Sequence, residues 1–274
     1  SYARSALSTA QHLLVPRGLR LFGGGAQAAL AAYGVIQGMS LPILLFPAAL
    51  IAVIADLIVP ELTEAQVQGR LRGLSYMLER LYRLGLFFSM AVAGVCFFFS
   101  QPLGDHIYSE PAAGHYIRLL APLVPIMYMD TLVDGMLKGI GEYRANMRYN
   151  IIDAAVGLLL VWLLLPRFGT TGYVFSIFAT ELLNFALSAA RLSRVSAFRF
   201  QPLCWLLTAA AATGGWWLLR LLFGGLLAHT EQLPVLLLSA LLYLLCYAAA
   251  LFLSGALRRE ELLWFFSLLY PQKR

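Results

Sequence analysis

Charge is scarce in this chain. Only 12% of its 274 residues are Asp, Glu, Lys or Arg, against 60% hydrophobic ones, whereas soluble domains average about 25% charged residues. A soluble domain of this size could not cover its surface with so few charges, so composition excludes that class. The mean hydropathy of +0.75 agrees. Cysteine is nearly absent: Cys96, Cys204 and Cys246 stand singly in apolar runs, which indicates neither a disulfide framework nor a metal knuckle. Enzyme signatures are missing as well, with no HExxH, no GxSxG and no P-loop lysine. The histidines His12, His106, His115 and His229 are scattered. His106 and His115 flank Asp105 and Glu110, but their spacing matches no strong zinc pattern, and they read as solvated loop residues. No cofactor is implied, and an enzyme is the class the sequence supports least.

Long apolar runs fill the chain instead. Residues 38–65, GMSLPILLFPAALIAVIADLIVPELTEA, contain no lysine or arginine, and from Leu41 to Pro60 the only charge is Asp56. About 20 apolar residues at ~1.5 Å each span the ~30 Å core of a bilayer. Pro42, Pro47 and Pro60 would be poor choices in a simple anchor, whereas a broken helix is tolerated where neighbours satisfy its backbone. The stretch therefore reads as a working span of a multi-helix membrane protein, entered through Tyr33 and a Gly34–Gly38 pair at close-packing spacing. Residues 1–16 are read as the remaining end of a span that starts before Ser1, followed by the glycine-rich connection PRGLRLFGGGAQ (16–27). Further spans are expected at about 84–100, 117–137, 151–165, 173–190, 203–222 and 235–254. Between them lie an amphipathic interfacial helix at 61–83, a loop at 101–116, the polar segment 138–150 and a tight turn, PRFGTTG, at 166–172. Trp162, Trp205, Tyr173 and Tyr270 fall near span ends and suit the aromatic belts. The tail, ALRREELLWFFSLLYPQKR, suits a helix lying in the interface. The fold class is all-α, a polytopic helix bundle in a lipid bilayer.

The basic residues set an orientation. The links 61–83, 138–148 and 191–202 together with the C-terminus hold 14 of them, and the opposite side holds five, with Arg4 left in the first span. The positive-inside rule makes the richer side, and the C-terminus, cytoplasmic. Because the net charge of +6 is divided among these links, nucleic acid is not the partner it implies.

Ionisable residues within spans are costly unless they face protein or water, so they nominate functional positions. Asp130 and Asp134 are four apart on one helix face that Lys138 continues. They form either a polar stripe along a cavity or a helix-end ion pair between Asp134 and Lys138. Glu181, with Thr180 and Asn184 beside it, lies near mid-span and either lines a transport path or packs inside the bundle. Asp153 and Asp56 sit nearer the interface. Arg4 either faces a cavity, where its fork would suit a phosphate, or lies close to the cytoplasmic surface.

LLVPRGL (13–19), YGVIQGMSLPILLFP (33–47), LIVPELTEA (57–65) and LKGIGEYRANMRYNIID (137–153) resemble the polysaccharide flippases related to stage V sporulation protein B. These belong to the multidrug/oligosaccharidyl-lipid/polysaccharide exporter superfamily. The resemblance implies a bacterial plasma-membrane transporter with two six-helix lobes around a central cavity and two additional C-terminal helices. On that plan residues 1–191 are the second lobe, with its first helix truncated, and 192–274 are the two extra helices and an interfacial tail. It also implies a first lobe not contained in this sequence, and as substrate an undecaprenyl-pyrophosphate-linked saccharide moved between leaflets by alternating access. The substrate and cavity candidates are Arg4, Asp130, Asp134, Glu181 and Asn184. A cation-coupled drug exporter of the same superfamily, and a non-transporting scaffold for cell-wall synthesis, are the rival readings.

Overall fold

A computed structural model of the chain describes residues 2–22, 25–196, 198, 200–227 and 230–256, without the side chains of residues 2–4, 8, 12, 71 and 72. The described residues are helical throughout, with no strand among them. Six helices are long and apolar enough to cross a membrane: Ala26–Leu45, Gly73–Phe98, Pro111–Gly139, Tyr143–Val195, Pro202–Leu227 and Leu233–Leu253. The chain is a polytopic all-α bundle, as its composition requires.

The first helix is α1 (Tyr2–Leu21), and α2 (Ala26–Val35) follows it. A single π turn, Ile36–Ser40, carries α2 into α3 (Leu41–Leu45), and α4 (Ala48–Val67) follows across Phe46–Pro47. Within the π turn the Leu41 N–H reaches back five residues to the Ile36 carbonyl. At Pro47 the ladder tightens: Ala49 N–H donates to Phe46 O at 3.3 Å and Leu50 N–H to Pro47 O at 3.1 Å. Residues 26–67 thus form one jointed helix of about 60 Å at ~1.5 Å per residue, roughly twice the hydrocarbon thickness. The expected span, entered at Tyr33 and left at Pro60, straddles this proline joint, and the stretch before the joint, Ala26–Leu45, is by itself long and apolar enough to cross a membrane.

Three further expectations are corrected. Residues 61–83 contain no separate interfacial helix: α4 ends at Val67, the chain reverses through Gln68–Arg70 with Gly69 at φ 66°, and α5 (Leu71–Phe98) then runs unbroken. Residues 101–116 are not a loop but two helices, α6 (Ser100–Tyr108) and α7 (Pro111–Leu120), joined by a left-handed Ser109. The Glu110 side chain caps α7 by accepting from the Ala112 N–H. The Gly34–Gly38 pair faces open space, with nothing within 4 Å of where a Cβ would stand. The C-terminal tail, with Tyr270, lies outside the described residues.

A short 3-10 turn, Ala121–Leu123, leads from α7 into α8 (Val124–Gly139), which is the axle of the bundle. Met129, Val133, Met136 and Leu137 on α8 are completely buried. Close approach of α4 is made possible by Gly135 and Gly139, a small-xxx-small pair. A Cβ on Gly135 would stand 2.7 Å from Ala55 Cβ, and one on Gly139 2.8 Å from Leu62 Cβ. The same helix pair is cross-tied by Thr63, whose hydroxyl donates to the Gly139 carbonyl at 2.9 Å. Tyr128 adds a bond from its hydroxyl to the Leu44 carbonyl at 2.6 Å.

The helical stretch α9 (Tyr143–Val195) is a hairpin rather than a rod. Gly169, at φ 53° and ψ −130°, breaks the helical path, in a conformation that L side chains adopt only at a cost. Beyond it the chain runs back along itself: Gly172 lies against the Leu164 carbonyl, and Gly157 against the Thr180 methyl. Residues 143–168 and 170–195 are therefore antiparallel arms, with the turn where PRFGTTG places it. Two more helices, α10 (Pro202–Leu227) and α11 (Leu233–Leu253), pair with each other and lean on α5. Tyr247 donates to Phe87 O at 3.0 Å, and Trp205 Nε1–H donates to the Tyr82 hydroxyl at 2.9 Å. Trp205 is half-buried, and Tyr173 is buried, its hydroxyl donating to Gln37 Oε1 at 3.0 Å.

The two glycine pairs give opposite expectations for substitution. Gly139→Val should lower the thermal midpoint of the detergent-solubilised chain by the equivalent of about 1–3 kcal/mol, the usual cost of overpacking. Gly34→Ala should leave that midpoint unchanged, as followed by circular dichroism.

Candidate functional site

Helix α8 presents Asp130 and Asp134 one turn apart to the α9 hairpin, and each arm of the hairpin answers with donors. Asn146 and Asn150 lie one turn apart on the first arm, and Asn184 and Ser188 occupy the same relation on the second. Asn184 Nδ2 donates to Asp130 Oδ2 at 2.7 Å. The Asp134 carboxylate accepts from both arms, from Asn150 Nδ2 at 3.1 Å and from the Ser188 hydroxyl at 3.2 Å. Asn146 Nδ2 donates to the Asp134 backbone carbonyl at 3.3 Å, while its own Oδ1 accepts from Asn150 at 2.8 Å. At the open end of the hairpin Arg191 grips Glu142 with a forked pair of bonds, Nε–H to Oε2 at 3.1 Å and Nη2–H to Oε1 at 2.9 Å, the geometry that makes arginine–carboxylate pairs strong.

This seam is enclosed. Asp130 is 9% exposed, Asn184 5% and Ser188 fully buried. Asp134 is not paired with Lys138, because its carboxylate is taken up by Asn150 and Ser188. Asp130 with Asn184, and Asp134 with Asn150 and Ser188, lie along one seam between α8 and the α9 hairpin. Glu181 lies on the second arm of α9 one turn before Asn184, and Asp153 on the first arm one turn after Asn150. The Arg4 side chain lies outside the described residues. Asn146, Asn150 and Ser188 were not nominated from the sequence. The 3.6-residue period could have found them, since each sits one turn from a polar neighbour on its own arm.

Two acceptor atoms in the seam have no hydrogen-bond partner among the described residues: Asp130 Oδ1 and Asn184 Oδ1, both buried. A buried polar atom left without a partner costs about 1–3 kcal/mol. The chemistry of the seam is accordingly that of oxygen acceptors, suited to a proton or a small cation and unsuited to an anionic headgroup.

Residues 20–163 match the sequence profile of the MatE family, a stretch running from the end of α1 into the first arm of α9. The chain belongs to the MatE family. As a MatE protein it is a multi-pass membrane chain of a transporter superfamily. It is 26% identical over 185 residues to stage V sporulation protein B of Bacillus subtilis, covering 67% of this chain and 36% of that protein. It is 22% identical over 160 residues to sporulation protein YkvU of the same organism, covering 58% of this chain and 36% of that protein. The chain thus matches about a third of the length of these MatE relatives.

Removing a donor from the MatE seam should be costly. Asn184→Ala leaves Asp130 without its side-chain donor and should lower stability by about 1–3 kcal/mol. Thr213→Ala, which removes only an exposed hydroxyl bonded within α10, should change it little. Thermal unfolding in detergent distinguishes the two.

Proposed function

We infer that the chain is part of a transporter that moves a lipid-linked oligosaccharide or cell-wall precursor from the inner to the outer leaflet by alternating access. One observation carries this reading. Residues 137–153, which resemble the polysaccharide flippases, supply Asn146 and Asn150, which bond the α9 hairpin to Asp134 of α8, and Glu142, which pairs with Arg191 across the hairpin's open end. The resemblance thus falls on the polar scaffold of the bundle and not only on apolar residues that any membrane helix would share. In this reading residues 1–191 form one lobe, and α10 and α11 are additions to it. The lobe rocks as a body against a second lobe, with the saccharide and its pyrophosphate in the hydrated space between them and the polyprenyl tail in lipid. The basic-rich end, with Glu142, Arg191 and Ala256, is cytoplasmic by the positive-inside rule.

Cells in which the gene is silenced should accumulate lipid-linked saccharide accessible only from the inner leaflet. Unimpaired appearance of the saccharide at the outer surface would overturn the reading. One observation favours a second reading, a cation-coupled exporter: Asp130 Oδ1 and Asn184 Oδ1 are buried acceptors with no hydrogen-bond partner among the described residues, on side chains that bond to each other. If that reading holds, Asp130→Asn abolishes sodium- or proton-dependent dye efflux while wall-precursor export proceeds normally.

A further inference from the structure

We propose that a recess between α1 and the first arm of α9, at the end of the bundle where the hairpin turns, binds the phosphate headgroup of an anionic lipid in the adjacent leaflet. The two helices run side by side and touch at Gly18, where a Cβ would stand 3.0 Å from Leu165 Cβ. Around this contact they leave a cavity of about 350 Å³ lined by Leu14, Arg17, Arg20, Leu21, Trp162 and Pro166. That volume lies within the range of about 300–1,000 Å³ in which small ligands are held.

The charge in this recess has no counterpart. Arg17 and Arg20 are three residues apart on one helix and therefore share a face, where like charges repel. Among the described residues neither guanidinium forms an ion pair. Neither 16–27 nor 162–173 contains an Asp or Glu, and Arg167 stands exposed one residue beyond Pro166. These three arginines lie at the end of the bundle that otherwise carries few basic residues, so membrane topology does not account for their clustering.

The remaining walls fit an amphiphile. Leu14 and Leu21 offer apolar surface for the start of an acyl chain. Trp162 is 62% exposed beside them, and indoles are favoured at membrane interfaces. Two arginine forks can take a phosphate through paired bonds, and basic pockets between membrane helices are known to hold anionic headgroups. The recess is separate from the α8–α9 seam, so the inference does not depend on which molecule is transported.

Native mass spectrometry of the detergent-solubilised chain tests it, using phosphatidylglycerol and phosphatidylcholine with the same acyl chains. Saturable binding of phosphatidylglycerol is expected. The affinity should fall about tenfold or more in Arg17→Gln/Arg20→Gln, a tenfold change corresponding to about 1.4 kcal/mol. Arg220→Gln, in the second half of α10, should bind as the parent does. Arg17→Lys/Arg20→Lys, which keeps the charge but loses the forks, should show an intermediate loss. Equal binding of phosphatidylcholine, full binding by the glutamine double variant, or no saturable binding by the parent overturns the proposal. So does displacement of the lipid by millimolar inorganic phosphate, which would make the recess a site for free anions.

Discussion

A carboxylate inside a membrane bundle must find its donors within the protein, and Asp134 finds them on both arms of one hairpin. Its side chain is bonded to Asn150 and Ser188, and its backbone carbonyl to Asn146. Lipid offers no alternative partner for any of these groups. The register between α8 and both arms is therefore fixed by polar contacts, which apolar side chains with similar volumes could not specify. The apolar core then has one arrangement to fill. The glycine steps at Gly135 and Gly139 bring α4 against the opposite side of the same helix, so α8 is held between a polar seam and a close backbone contact.

Much of this architecture could be read from the residues. Hydropathy located the crossings in α5, α8, both arms of α9, α10 and α11, and the Pro-Arg-Phe-Gly run placed the hairpin turn. The errors share a physical origin. Hydropathy reports which residues tolerate lipid, and a helix that begins among protein neighbours does not look apolar. In α5, Arg80 is buried beside Tyr76, and Arg83 donates to the Ala256 carbonyl at 2.7 Å. A charged segment there reads as interfacial although it is the start of a crossing. In α6 and α7 proline and glycine suggested a loop, but Pro111 sits in the first turn of its helix, where its missing N–H is harmless.

The candidate site was legible as separate pieces. Asp130, Asp134, Glu181 and Asn184 stood out because polar groups are rare within such apolar runs. That Asn184 meets Asp130, 54 residues away, depends on the hairpin register, which spacing alone does not reveal. The glycine pairs show the same boundary. Gly34–Gly38 and Gly135–Gly139 have the same spacing, yet only the second has a helix against it. Spacing indicates that a close approach is possible and is silent on whether a neighbour comes.

The hairpin turn at Gly169 also bears on how the chain enters a membrane. Only the residues around Phe168 and Thr170 separate the two arms, too few to form an aqueous loop of any length. Either arm entering lipid by itself would carry side chains separated from their acceptors on α8: Asn146 and Asn150 on the first, Asn184 and Ser188 on the second. Entering together, the arms shield part of that polar surface from the acyl chains before α8 is in place. The geometry favours insertion of residues 143–195 as a pair, with the bond network to α8 closing afterwards.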